Sequence, residues 1–216
     1  MRITHLGHSC LLLEYDAVRI LVDPGNLSED FDFVEDLDAI LVTHQHPDHL
    51  DVDRLPGLLA GSPGVRLLAE PQAAEVLAAA GVTAEAFAAG DAASIGPVSL
   101  AGVGGTHALI HRDIPLVGNT GLVLTCEGAP TVFHPGDMID TVPEGIDLLA
   151  VPLAAPWCAF KETAEFVRAV QPGIAVPIHD AIVSPAGRAI YLRQTSALAP
   201  AGTMVRDLAG SGPTEF

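Results

Sequence analysis

Six residues, His44-Gln45-His46-Pro47-Asp48-His49, constrain this chain more than any other stretch, because they crowd three imidazoles and a carboxylate into one loop. The loop directly follows the apolar run Ala39-Ile40-Leu41-Val42, which reads as a buried strand. The fold must therefore deliver this loop to a strand end. Neutral imidazole and carboxylate are donors that suit zinc, manganese or iron(II). Four donors this close in sequence cannot all face one ion in tetrahedral geometry, so the motif predicts two adjacent metal ions.

Apolar runs and turn residues order the rest of the chain. Ile3 to Leu6, Cys10 to Tyr15 and Val18 to Val22 read as a meander of short strands. After the loop come Leu50 to Ala60, a strand over Val65 to Ala69 and a helix over Pro71 to Ala80, with Pro71 at its first position and Gly81 at its end. Strands are predicted over Pro97 to Val103, Gly121 to Cys126 and Thr131 to Phe133, with Gly128-Ala129-Pro130 as a turn. The last third predicts a strand over Asp147 to Val151, a helix over Lys161 to Val170, a strand over Ile174 to Ile178, a helix over Pro185 to Leu198 and an edge strand at Met204-Val205-Arg206. At 216 residues the expectation is a single domain over 1–216, made of two βα halves with a tail that frays from about 209. Two halves apolar enough to bury both faces of a sheet predict an α+β fold, a four-layer αββα sandwich.

Charge and cysteine usage narrow the partners. Lys plus Arg number 10 against 27 Asp plus Glu, a net charge of −17, whereas a nucleic-acid binder needs cations to neutralise phosphates. The expected partner is a small-molecule substrate, held by a local positive field at the metals, with no nucleic acid and no membrane. No run of about 18 apolar residues occurs, and no signal stretch precedes Arg2-Ile3-Thr4. Cys10, Cys126 and Cys158 are odd in number and widely spaced, which offers neither a disulfide framework nor a Cys-x-x-Cys knuckle. These features predict a cytoplasmic protein.

Three further donors end apolar runs, each after a small or rigid residue: His107 in Gly104-Gly105-Thr106-His107, Asp137 in Phe133-His134-Pro135-Gly136-Asp137, and His179 in Val176-Pro177-Ile178-His179. Asp23, also at a strand end, reads as a carboxylate that fixes the tautomer of a ligand histidine. His8 follows Gly7 at a strand end and is expected near the metal mouth, while His5 reads as a hydrogen-bonded sheet residue and His134 as support for its turn. His111 is an alternative to His107, which is preferred because it directly follows the Gly-Gly-Thr strand end. Trp157 and Lys161 either wall the pocket or, for the tryptophan, seal the core.

Taken together, these residues resemble the metallo-β-lactamase superfamily, in the family's order and over nearly the whole chain. The resemblance implies the αββα sandwich and a dinuclear centre, with His44, His46 and His107 on one metal, Asp48, His49 and His179 on the other, and Asp137 bridging. Leu6-Gly7-His8-Ser9, Asp23-Pro24 and Pro177-Ile178-His179 look most like the small bacterial branch related to ascorbate-phosphate lactonase. Flavodiiron relatives carry a glutamate where this chain has His46, and sulfur dioxygenase relatives bind one iron, so both readings are disfavoured. The cofactors expected are two divalent ions, zinc first, with manganese or iron as alternatives.

The chemistry expected is hydrolysis of an ester, lactone or phosphodiester. Water bridging two divalent cations falls from a pKa of about 16 to about 7, giving a hydroxide nucleophile at neutral pH. Asp48 is expected to orient it and take its proton, with His8 assisting. The competing readings are a ribonuclease of the same fold, disfavoured by the acidic charge; a metal-binding or regulatory protein without turnover; and a mononuclear iron oxygenase.

Overall fold

The computed structural model describes residues 1–216. In chain order its elements are β1 (Arg2–His5), β2 (Leu11–Tyr15), β3 (Val18–Val22), β4 (Ala39–Val42), α1 (Leu55–Gly61), β5 (Arg66–Ala69), α2 (Pro71–Ala79), β6 (Glu85–Ala86), β7 (Ala92–Ile95), β8 (Val98–Gly104) and β9 (Thr120–Thr125). There follow β10 (Val132–His134), β11 (Leu148–Pro152), α3 (Phe160–Val170), β12 (Ile174–Ile178), α4 (Pro185–Leu198), β13 (Met204–Val205) and β14 (Thr214–Glu215). They form two seven-stranded sheets, ordered β14-β1-β2-β3-β4-β5-β6 and β13-β12-β11-β10-β9-β8-β7.

Side chains alternate across each strand, and here both faces find apolar partners. Leu11, Leu13, Ile20 and Leu41 of the first sheet meet Leu100, Leu122, Leu124 and Val176 of the second in a 22-residue cluster between the sheets. Leu12, Leu21 and Ile40 point the other way, onto Leu55 and Leu58 of α1 and Leu77 of α2. On the far side Phe133, Leu149 and Val151 pack against Phe166, Val167 and Val170 of α3. This is the expected αββα sandwich. Each fully buried Leu or Ile contributes about 1.5 to 3 kcal/mol, whereas an exposed ion pair such as Arg66–Glu85 contributes about 0 to 1, so burial dominates.

Strand direction decides where the site forms. β1 and β3 both run antiparallel to β2, and β4 is parallel to β3, so all three end on one edge of the first sheet. β8 and β10 both run antiparallel to β9, and β11 and β12 are parallel to β10, so these four share an edge of the second. Backbone bonds join the two edges: Thr120 N–H to Thr43 O at 2.8 Å and His179 N–H to His8 O at 2.8 Å.

Two expectations need correction. The tail does not fray: Thr214 and Glu215 pair with Ile3 and Arg2, and Phe216 packs on the central cluster beneath the Arg206 guanidinium. The polar Gly210-Ser211-Gly212-Pro213 segment is a connection to this strand, which two residues of pattern cannot announce. The sequence also does not predict β6 or β7, because the first is exposed and the second, Ala92-Ala93-Ser94-Ile95, offers one buried residue.

Candidate metal centre

Every candidate donor except those in the His44–His49 loop lies one to three residues beyond the C-terminal end of a strand: His8 after β1, Asp23 after β3, His107 after β8, Asp137 after β10 and His179 after β12. The loop itself follows β4. The shared edge gathers the donors into two groups, His44, His46, His107 and Asp137 in one and His8, Asp48, His49 and His179 in the other, with donor atoms in each within 4.8 Å of one another. Asp137 faces both. Its Oδ1 lies 3.0 Å from His49 Nε2 and 3.3 Å from His179 Nε2, while Oδ2 lies 3.2 Å from His107 Nε2 and 3.9 Å from His44 Nε2.

The hydrogen bonds at the back of each ring fix which nitrogen faces inward. His107 Nδ1 donates to Ala108 O at 2.6 Å, His179 Nδ1 to Ala154 O at 2.7 Å and His49 Nδ1 to Asp23 Oδ2 at 2.7 Å. The Thr43 hydroxyl donates to Asp23 Oδ2 at 2.8 Å, so its oxygen accepts from His44 Nδ1 at 3.1 Å. With Nδ1 as donor, each neutral ring turns an Nε2 lone pair inward. Those lone pairs meet carboxylate oxygens, and acceptor faces acceptor. Asp137 Oδ1 and His179 Nε2 are buried with no hydrogen-bond partner at all. Only protons or cations relieve such a cage, and an imidazole and carboxylate donor set fits divalent transition metals.

His8 differs from the ligand-type histidines. Its Nδ1 accepts the Ala181 N–H at 3.3 Å, so its proton is on Nε2, which donates to Asp48 Oδ2 at 3.2 Å. The side chain has no solvent exposure. The mouth position expected for His8 is therefore corrected: it stands behind Asp48. His8, Asp23 and His179 all adopt the left-handed backbone region, with φ of 50°, 50° and 57°, which costs non-glycine residues about 1 to 3 kcal/mol each and recurs at functional sites. Gly136, at φ 60°, leads into Asp137 in the same region, and a Cβ there would strike Asn119 and Thr43.

Charge follows from this geometry. Burial opposes protonation of His179, but the Asp137 and Asp48 carboxylates outweigh it and raise the group to about 9. Burial likewise opposes a charged His49, which Asp137 and Asp23 reverse to well above the usual range. Burial and the neighbouring His49 push His44 well down. Burial favours a neutral Asp137, yet His49 and His179 hold its carboxyl well below the ordinary range.

Other histidines take supporting places. His5 Nε2 donates to His8 O at 2.9 Å, and His134 Nε2 donates to Ser9 O at 2.9 Å while its Nδ1 accepts the Gly136 N–H at 3.2 Å. His111 is exposed and outside both groups. Trp157 is half-buried and its indole N–H donates to Asp137 Oδ2 at 2.8 Å, while Lys161 is exposed at the start of α3. A cavity of about 340 Å³ touches His8, Asp180 and Arg188 but none of the other grouped donors, so it adjoins the centre only through His8. Thr43 and Asn119 escaped the sequence reading. Asn119 Oδ1 accepts the Asp137 N–H at 2.9 Å, and its Nδ2 donates to Pro135 O at 2.8 Å. Thr43 adjoins the His motif, but nothing in the sequence signals Asn119, which lies 18 residues from the turn it braces.

Comparison with known proteins places the chain among similar ones. The family described as the beta-lactamase superfamily domain matches residues 2–179. The Mycobacterium tuberculosis protein Rv0786c is 46% identical over 192 residues, covering 88% of this chain and 89% of that one. A UPF0173 metal-dependent hydrolase of Aeropyrum pernix is 30% identical over 201 residues, covering 82% and 81%. The structure of Igni18, a metallo hydrolase from Ignicoccus hospitalis, superposes with a TM-score of 0.69 at 19% identity over 100% of this chain and 98% of that one, a likeness of fold.

Proposed function

The chain belongs to the beta-lactamase superfamily and is of the UPF0173 type, and from that footing we propose that it is a metal-dependent hydrolase holding two divalent cations. The observation that carries this reading is Asp137, which turns one oxygen toward the ring nitrogens of His49 and His179 and the other toward those of His107 and His44, one pair in each donor group. In this reading His44, His46 and His107 would hold one ion and Asp48, His49 and His179 the other, with Asp137 shared between the two groups. Zinc suits the set first, with manganese or iron as alternatives. When bound, the ions supply Lewis acidity and hydroxide near neutral pH for attack on an ester, lactone or phosphodiester of a small molecule.

The chain's own residues prepare that step. Asp23 and the carbonyls of Ala108 and Ala154 keep the ligand rings in one tautomer. Burial favours a neutral Asp48, but His179, 3.6 Å from Oδ2, and the hydrogen bond from His8 keep it ionised, and His8 occupies Oδ2, leaving Oδ1 to orient water. His8 reaches the substrate only through Asp48, so it is a positioning residue. The three free cysteines accord with a reducing, cytoplasmic setting.

Protein prepared without chelator is expected to carry two divalent ions per chain and to turn over at least one member of an ester, lactone and phosphodiester panel. Asp137→Ala is expected to lose the pair rather than one ion. One iron per chain in the parent protein would overturn the two-metal reading. Two ions with no turnover of the panel would favour a metal-binding or regulatory protein instead.

A further inference from the structure

Trp157 is the one tryptophan in the chain, and it lies where the two donor groups meet. Its ring stands edge-on to one ligand-type histidine from each group, 6.0 Å from His107 and 6.1 Å from His179 between ring centroids. Its indole N–H reaches Asp137 Oδ2 at 2.8 Å. The loop that carries it, between β11 and α3, is pinned on both sides: Cys158 N–H bonds Ala155 O at 3.2 Å, Thr163 Oγ1 donates to Pro152 O at 3.1 Å, and Phe160 stacks on Tyr191 at 5.4 Å. A pinned loop gives the N–H a fixed direction.

A carboxylate oxygen has two lone pairs. On Asp137, Oδ2 gives one of them to Trp157, whereas Oδ1 is buried with no hydrogen-bond partner. Outside the ring nitrogens of the two donor groups, which face the carboxylate as fellow ligands, the other groups that bond this residue hold its backbone: Asn119 takes the Asp137 N–H, and the Asp137 carbonyl accepts the Ala108 N–H at 2.8 Å. Neither restrains rotation of the carboxylate about its own axis. Trp157 does.

We propose that Trp157 is a positioning residue for the bridging carboxylate: its N–H prevents both oxygens of Asp137 from chelating one ion, so that each oxygen serves one donor group. This inference rests on the two-metal reading above. Groups that orient metal ligands in this way cost about 10- to 100-fold in metal affinity when removed.

A single tryptophan allows a clean test. Growth of an auxotrophic host on 3-benzothienylalanine replaces the N–H by sulfur at this position alone and keeps the ring's shape. Trp157→Phe is the genetic counterpart. Cadmium-113 is the probe: the spectrum of the parent protein should show two resonances, because one donor group is richer in nitrogen, and chelator competition should give a dissociation constant for each. In the sulfur analogue the ion of the His44, His46 and His107 group should bind about 10-fold more weakly or worse, with the other changed no more than about twofold. The parent's single indole N–H resonance should lie at low field and move in Asp137→Asn. Two ions in the parent with both constants unchanged in the analogue would overturn the positioning role and leave the two-metal reading standing. One ion in the parent would overturn both.

Discussion

His8 illustrates how much of this centre depends on hydrogen positions. A histidine in a Gly-His turn beside three metal-ligand-type residues has the chemistry of a ligand, yet the Ala181 N–H occupies its Nδ1 and forces the proton onto the nitrogen that faces Asp48. A protonated nitrogen offers no lone pair to a cation. The carbonyl of His8 meanwhile accepts from His179 N–H and from His5 Nε2, tying the first sheet's edge to the second's. Replacement by glutamine keeps an N–H that reaches Asp48, whereas leucine leaves Asp48 Oδ2 without its donor. His8→Leu is therefore expected to weaken the ion held by Asp48, His49 and His179 by about 10- to 100-fold, and His8→Gln by a few-fold at most, as read by chelator competition. Equal losses in the two variants would count against the hydrogen bond and for simple packing.

At the scale of elements, the strand that closes the first sheet carries a stability role separable from the metal centre. β14 pairs with the start of β1, at Arg2 and Ile3, whereas His8 lies beyond the other end of that strand. Phe216 adds apolar contact to the central cluster, and its carbonyl receives the N-terminal ammonium at 3.1 Å. Truncation after Gly212 removes this pairing and half-covers nothing in its place. It is expected to cost about 1 to 2 kcal/mol and to lower the melting midpoint by about 2 to 8 °C, with the metal content unchanged. Calorimetry and metal analysis of the truncated chain check both halves of that statement. The long strands and helices were legible because their patterns run for four residues or more, as with Val18–Val22, Ile174–Ile178 and Pro185–Leu198. The two-residue strands β6 and β14 have no period to read, and they exist because a neighbouring strand supplies the hydrogen bonds.

For the whole molecule, the gathering of histidines sets a pH profile of opposite slopes. His49 and His179 are raised above 6.5, so their stabilisation of the metal-free protein is complete below 6.5 and is lost as pH rises through about 9 for His179. His8, His44, His46 and His134 are lowered by burial, so the folded state resists their charging and stability falls as pH drops below 6.5. The metal-free protein should thus melt highest near pH 6.5 and lower on either side. Saturating zinc should remove the alkaline decline, because the ions take the place of the protons on His49 and His179. An alkaline slope that survives zinc in scanning calorimetry would contradict this account. The sequence by itself determined the donor types, the apolar runs that carry them and the sandwich those runs build, because hydrophobic periodicity and ligand chemistry are local properties. Only the tertiary structure decided that Asn119 braces Asp137, that Trp157 bonds its carboxylate and that His8 donates to Asp48. Each of those facts depends on atoms brought together from distant strand ends, and on which neighbour fills each lone pair.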